Sequence, residues 1–555
     1  MTARADALLE GLNPPQRQAV QCVDGPLLIV AGPGSGKTRV ITHRIAYLNR
    51  HVGISPWRIA AVTFTNRAAR EMRNRLAALM GDGAQRLTAG TFHALCASVL
   101  RRDGEVIGIP PDYVIMDDED QMNLIKQSME QLQLDPKRFP PRSVLSAISR
   151  AKSQLLGPDA LAAKADGYYD EVVHRVFAAY QASLARSHGV DFDDLLGKAV
   201  ELFRRAPEVR DRWQERFIHF MVDEFQDTNT AQYEIARLLA GKHRNLAVVG
   251  DPDQSIYSWR NADIRNILSF KKDYPDATIV ALSQNYRSTR TILDAARHVI
   301  RANSQRIEQE LFTENGQGVP IRIADTYSEE EEAQEVIREV QRLMEHEGVT
   351  LRDCVVTYRV NAQSRALEEA CLRYGMPYKI VGGVRFYQRR EVKDLICYLR
   401  LLENPFDEVS LTRVINVPAR GIGKRTVDEL LAWANSREVP AYTGLQMLES
   451  DDYHSPFDAR QKRQLTGFLS LLNGLSALKP EMELPQLIDE VLEQSGLRRA
   501  ILESDDPDAE DRLENLRELR GLSAEFADAS ADESLPAFLE RIALVSDQDV
   551  LDEDE

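Results

Sequence analysis

Residues 27–48 constrain the fold of this chain more than any other stretch. Leu27-Leu28-Ile29-Val30 is a short apolar run that suits a buried strand, and Arg39 to Leu48 carries apolar residues at helical spacing. Between them lies Ala31-Gly32-Pro33-Gly34-Ser35-Gly36-Lys37-Thr38. Strand, glycine loop and helix, in that order, is the context a phosphate-binding loop requires. Glycines let backbone N–H groups converge on phosphate oxygens, and the helix N-terminus adds a favourable dipole. Ala31, Gly32, Pro33, Gly34, Ser35 and Gly36 then wrap the tail of a nucleoside triphosphate. Lys37 reaches its β- and γ-phosphates, and the Thr38 hydroxyl holds Mg²⁺. Ala31 stands where such loops often begin with glycine, a mild departure.

The loop fixes ATP as the expected ligand but not the use of its energy. Phe217 to Val222 reads as a mostly apolar strand running into Asp223-Glu224-Phe225-Gln226-Asp227-Thr228. A carboxylate pair at a strand end suits Mg²⁺ and water chemistry. Asp223 is expected to bind the metal through its water shell, because Mg²⁺ dehydrates reluctantly. Glu224 is expected to take a proton from the attacking water. A third strand, Leu246 to Val249, leads to Gln254, placed to touch the γ-phosphate and report its loss. Just beyond, Tyr257, Trp259 and Arg260 combine aromatic faces with a cation, which suits single-stranded nucleic acid. A fourth strand, Thr278 to Leu282, leads to Asn285-Tyr286-Arg287-Ser288-Thr289, where Arg287 can act as an arginine finger.

Composition narrows the class. The chain has 555 residues, 43 % apolar and 28 % charged, as in a soluble protein of several domains. No apolar run approaches the ~18 residues of a membrane span, and the first residues lack a secretion signal. The five cysteines are scattered without a Cys-x-x-Cys pair, so free thiols in a reducing cytoplasm are expected. The net charge of −17 looks hostile to nucleic acid. Residues 501–555 hold 19 acidic and 4 basic residues, so nearly all of the excess lies there and the preceding body is close to neutral. A local basic groove therefore remains possible.

At these motifs the chain resembles the UvrD/PcrA/Rep group of superfamily 1A DNA helicases, from about Leu12 to the last residue. Leu12 to Val20 resembles the group's adenine-reading motif, with Gln16 on the adenine edge. Ala61 to Ala69 resembles the next motif, whose Phe64 shapes a base pocket; Arg67 stands where relatives often have Lys. Thr91-Phe92-His93 and Asp191 to Leu195 also match, as does Asp223 to Thr228, the most family-specific string. The resemblance adds Arg39 and Tyr286 to the nucleotide set. It adds His93 and Phe192 to the DNA set, with Arg359 and Asn361 in Tyr358 to Arg365. Many relatives have Thr in place of Val360. Phe386 to Asp394 resembles the entry to an inserted domain. Within Pro418 to Thr426, Gly421, Gly423 and Lys424 resemble a grip on duplex phosphate.

The resemblance implies an α/β fold: P-loop, RecA-like motor domains with parallel sheets and two mainly helical insertions. The first motor domain is expected at 1–113 and 188–280, with its insertion at 114–187. Part of the second motor domain is expected at 281–384, with strands at Val319 to Ile323, Cys354 to Thr357 and Pro377 to Val381. The second insertion spans 385–547, and 548–555 is an acidic linker. The implied activity is ATP-driven 3′→5′ movement on single-stranded DNA and unwinding at single-strand/duplex junctions in repair or replication, with ATP and Mg²⁺ and without a membrane. The family's His-x-x-Lys-Gly-Leu-Glu and late Thr-Arg-Ala segments do not occur in the sequence. Two explanations stand: part of a longer helicase, with an incomplete second sheet, or a short non-catalytic module that binds ATP and DNA. A small-molecule P-loop kinase is disfavoured by the helical insertions and the Trp259-Arg260 pair.

Overall fold

The computed structural model describes residues 8–164, 167–258, 261–303, 309–359, 363–380, 387, 389–450, 453–503, 509–526 and 529–544. In chain order its strands are β1 (Leu27–Ala31), β2 (Ile59–Thr63), β3 (Thr88–Thr91), β4 (Val114–Met116), β5 (Gly189–Asp191), β6 (His219–Val222), β7 (Leu246–Gly250), β8 (Thr278–Leu282), β9 (Gln284–Asn285) and β10 (Phe312–Thr313). Six of them form one sheet in the order β3-β2-β6-β7-β1-β8. Every pairing in it is parallel, with Leu28 opposite Val248 on one side and Ile279 on the other.

The central strands are continuous apolar runs because both faces of the sheet are covered. Leu28 and Val30 share one core with Val62, Phe220, Val222 and Val248. Leu27, Ile29 and Ala31 share the opposite core with Ile59, Ala61, Met221 and Val249. The alternation is the period of two of the pleat. Burying each such side chain stabilises the sheet by ~1.5–3 kcal/mol, which locks its register.

Between the parallel pair β4 and β5 stand the helices Asp118–Gln131, Pro141–Ser153 and Tyr168–Arg186. They close a separate core around Ile125, Val144, Ile148, Val176, Phe177 and Tyr180. The first helix starts at Asp117, whose carboxylate accepts the Glu119 and Asp120 N–H groups. From Arg390 to Leu544 the described chain is helical, around a core that includes Leu395, Leu399, Leu430, Leu469, Leu487 and Leu519. Buried ion pairs tie this body to the first: Arg400 bonds Asp120 and pairs with Asp407 at 2.9 Å, and Lys393 bonds Asp117. Burial works against ionisation of Asp120, yet the Arg400 and Lys393 charges hold it down to about 2.

The strands expected at 319–323, 354–357 and 377–381 do not form among the described residues, which end at Ile380 in the third segment. A strand gains its order from neighbours that satisfy its ladder, and none is there among the described residues. Their apolar side chains lie open instead: Val319 is 78 % exposed, Ile323 91 % and Val355 84 %. Between residues 283 and 380 the only ladder among the described residues is the two-residue parallel pair β9–β10.

Candidate functional site

Parallel pairing aims the carboxyl ends of all six strands at one edge, where ligands of open α/β sheets bind. The strand order then sorts the motifs. β6, β7, β1 and β8 are neighbours, so Asp223, Gln254, Lys37 and Arg287 follow adjacent strand ends. β2 and β3 are the other flank, and they place Phe64 and His93 beside that group.

The glycine loop turns at Gly34 and Gly36, both at positive φ (63° and 87°), and Lys37 opens the helix Lys37–Tyr47. The Lys37 ammonium donates to Glu224 Oε2 at 3.0 Å and to Gln254 Oε1 at 3.2 Å. The Thr38 hydroxyl donates to Asp223 Oδ2 at 3.4 Å. Glu224 is held in the left-handed region at φ 51°, which turns its carboxylate toward Lys37. Burial, then the Glu224 charge, pushes Asp223 up to about 7, against the pull of Lys37. Asp227 is likewise raised to about 7 and Asp251 to about 6, each first by burial. An acid cluster raised in this way is short of positive charge. The Thr38 hydroxyl and Asp223 carboxylate are hard oxygen donors side by side, so they suit Mg²⁺.

Gln226 and Asp251 complete this ring and Asn285 stands beside the glycine loop, and the sequence reading gave none of the three a role. Gln226 Nε2 donates to Glu224 Oε2 at 2.9 Å and to Asp227 Oδ2 at 3.3 Å, and its Oε1 accepts the Asp251 N–H at 2.9 Å. Asp251 in turn accepts from the Gln254 amide at 2.7 Å. An amide between carboxylates in Asp-Glu-Phe-Gln-Asp was the available signal. Asn285 is 2 % exposed and donates to the Pro33 carbonyl at 2.7 Å.

Gln16 stands behind the loop and is buried; its amide donates to the Ser35 carbonyl at 2.8 Å and accepts the Asn13 N–H at 3.1 Å. Any ligand edge read by Gln16 would therefore have to share or displace bonds that the chain already makes. Tyr286 is exposed, with its hydroxyl 2.9 Å from Asn13 Nδ2 and its N–H on the Gly34 carbonyl. Arg39 and Arg287 are exposed, and Arg287 Cβ packs against Gly34.

Beside the ring opens a cleft of about 730 Å³ lined by Phe64, His93, Arg150, Phe192, Ser258 and Asn261 among others. Phe64 lies 5.1 Å from Tyr257, ring centre to ring centre, and His93 meets Phe192 edge-on at 5.8 Å. Caps fix these side chains: Thr65 and Thr91 accept the first N–H groups of the helices after β2 and β3, and Asp191 does so before the helix that carries Phe192. Burial depresses His93 to about 4, so the imidazole is neutral at physiological pH. It offers a face and a hydrogen bond rather than a charge. The buried Lys152 pairs with Asp191 at 2.6 Å and Asp194 at 3.0 Å, on either side of Phe192 and Asp193 in sequence.

Trp259, Arg260 and Asn361 lie outside the described residues. Arg359 is exposed and is not a lining residue of the cleft. Gly421, Gly423 and Lys424 belong to the second helical body and are not lining residues of the cleft. Gly421 takes φ 78° in a turn held by the Asn416 carboxamide, and Gly423 caps the helix Lys424–Asn435. Among the described residues no helix is long and apolar enough to cross a membrane.

Comparison with known proteins gives a consistent result. Residues 12–275 match the UvrD/REP helicase N-terminal domain, and residues 280–554 match the UvrD-like helicase C-terminal domain. The ATP-dependent DNA helicase PcrA of Bacillus subtilis is 43 % identical over 551 residues, covering 99 % of this chain and 74 % of that protein. PcrA of Leuconostoc citreum is 44 % identical over 555 residues with the same coverage. PcrA of Staphylococcus aureus is 42 % identical over 549 residues.

Proposed function

The chain belongs to the UvrD/REP helicase family and is an ATP-dependent DNA helicase, and from that premise we propose how its residues do the work. The observation that carries the proposal is the meeting of Lys37, Glu224 and Gln254 within 3.2 Å beside the aromatic cleft. A non-catalytic binding module is not favoured by that membership.

Residues 31–38 hold the triphosphate, with Gln16, Arg39 and Tyr286 around the nucleoside. Thr38 and Asp223 would hold Mg²⁺, which would supply charge neutralisation on the phosphates. Lys37, now paired with Glu224, exchanges that carboxylate for phosphate oxygens. Glu224 is thereby released to orient water and accept its proton. Gln254 and Arg287 stand on the γ-phosphate side, and Gln226 keeps Glu224 and the β7 loop in one network. Besides that proton transfer, positioning and charge stabilisation are nearly the whole task in phosphoryl transfer.

Single-stranded DNA lies in the cleft, with bases stacking on Phe64, Tyr257, Phe192 and His93; DNA contacts by Trp259, Arg260, Arg359 and Asn361 are proposed from their sequence motifs alone. Gly421, Gly423 and Lys424 contact duplex phosphate at a junction. Movement is 3′→5′, in repair or replication, and the site of action is the cytoplasm. The domain divisions given by the motifs (1–113 with 188–280, 114–187, 281–384, 385–547) belong to the same proposal. Support comes from the separate cores of the sheet and the two helical bodies.

The test is ATP turnover with and without a single-stranded oligonucleotide. Glu224→Gln is expected to lower the stimulated rate at least ~10²-fold while nucleotide still binds, as for loss of a general base. Normal turnover in that variant refutes the assignment.

A further inference from the structure

Residues Gln284–Ser288 are stitched to the phosphate loop by contacts that the roles above leave unused. The Asn285 carboxamide donates to the Pro33 carbonyl at 2.7 Å. Its oxygen accepts two backbone N–H groups, from Arg287 at 2.9 Å and Ser288 at 2.7 Å. The intervening Tyr286 N–H donates to the Gly34 carbonyl at 2.9 Å. The fit is tight: a Cβ on Gly34 would stand 2.7 Å from Arg287 Cβ and 2.9 Å from Asn285 Nδ2.

One buried side chain thus sets the backbone of Arg287 and ties it to the loop that grips the triphosphate. A short polar side chain that accepts N–H groups two and three residues ahead defines a turn without help from a ladder. Here that turn is the base from which the exposed Arg287 side chain starts. A guanidinium on a flexible stem contributes most when its base is fixed, because less freedom is lost on contact.

We infer that Asn285 is a positioning residue that holds Arg287 in register with the phosphate loop, so that a γ-phosphate is recognised. This rests on the reading of Arg287 as a γ-phosphate contact. Asn285 touches no phosphate itself. It acts through Arg287, and its loss mimics the loss of that side chain.

The test uses the full 555-residue chain and two fluorescent probes, an ADP and a non-hydrolysable ATP analogue. The readout is the ratio of their affinities, so it does not depend on turnover. Arg287→Ala is expected to cut the preference for the triphosphate roughly tenfold or more, as for a lost bond to a charged group. Asn285→Ala is expected to cut it to a similar degree, with ADP affinity falling less than that of the triphosphate analogue even though the bond to the Pro33 carbonyl is also lost. In the double variant the losses do not multiply. Asn285→Ser retains an acceptor for the turn but not the reach to Pro33; its ratio falls between, and it serves if the Ala variant does not fold. An unchanged ratio in both Asn285 variants, with Arg287→Ala impaired, overturns the inference. So does a double variant whose losses multiply. An unchanged ratio in Arg287→Ala overturns the underlying role of Arg287, a separate failure.

Discussion

Asp223→Asn has two effects of opposite sign, and the structure sets both. Asp223 is 3 % exposed, its Oδ1 accepts the Glu224 N–H at 3.0 Å, and its Oδ2 accepts the Thr38 hydroxyl at 3.4 Å. Burial and the Glu224 charge raise it from 3.8 to about 7. An acid raised on folding stabilises the fold below its unfolded value, and that stability is lost as pH rises through the folded value. The window is therefore about pH 4 to about pH 7. A shift of about 3 units at ~1.36 kcal/mol each sets a ceiling of about 4 kcal/mol. Asparagine keeps the shape and the backbone bond without the charge. The nucleotide-free variant should unfold at a higher temperature than the parent. At ~2–4 °C per kcal/mol for a domain of this size, that ceiling corresponds to roughly 8–16 °C, so a rise of at least a few degrees is expected at pH 8.5. The offset should be smallest near pH 4.5 and level off above about pH 7. With Mg²⁺ and nucleotide the order should reverse, because the parent gains stability from binding and the variant loses its metal donor. A variant no more stable than the parent at pH 8.5, or an offset that ignores pH, would refute the argument that an uncompensated charge is stored at this position.

Two further outcomes test the cleft and the joint between bodies. Phe64→Ala removes one partner of the Phe64–Tyr257 pair. It should weaken binding of a labelled oligo-dT by ~1–3 kcal/mol, read by fluorescence anisotropy, while ADP affinity holds. Equal affinity for the DNA would remove Phe64 from the path. Arg400→Ala leaves Asp120 and Asp407 buried without their shared cation. Breaking such a pair costs ~3–5 kcal/mol, so calorimetry should show a large fall in unfolding temperature. Arg400→Met should be milder if Asp120→Asn and Asp407→Asn accompany it, because no charge is then left unpaired.

The sequence determined the proposed nucleotide site because its chemistry is local. Strand, glycine loop and helix are contiguous, and the strands ending at Val222 and Leu282 are fixed by short apolar runs followed by polar motifs. Each motif sits directly after a strand, so knowing the strands nearly gives the site. The strands expected at 319–323, 354–357 and 377–381 failed for the complementary reason. Their apolar pattern is real, but a strand exists only with a neighbour to share its hydrogen bonds, and pattern does not supply one. Tertiary structure alone decided what stands next to what. The order β3-β2-β6-β7-β1-β8 brought Lys37 to Glu224 across 187 positions of sequence, and Asn285 to Pro33 across 252. It also decided which polar side chains are held inside, as with Gln16 and Gln226, and so which carboxylates are raised. Those properties follow from burial and from distances between remote residues, and neither is written in the order of the letters.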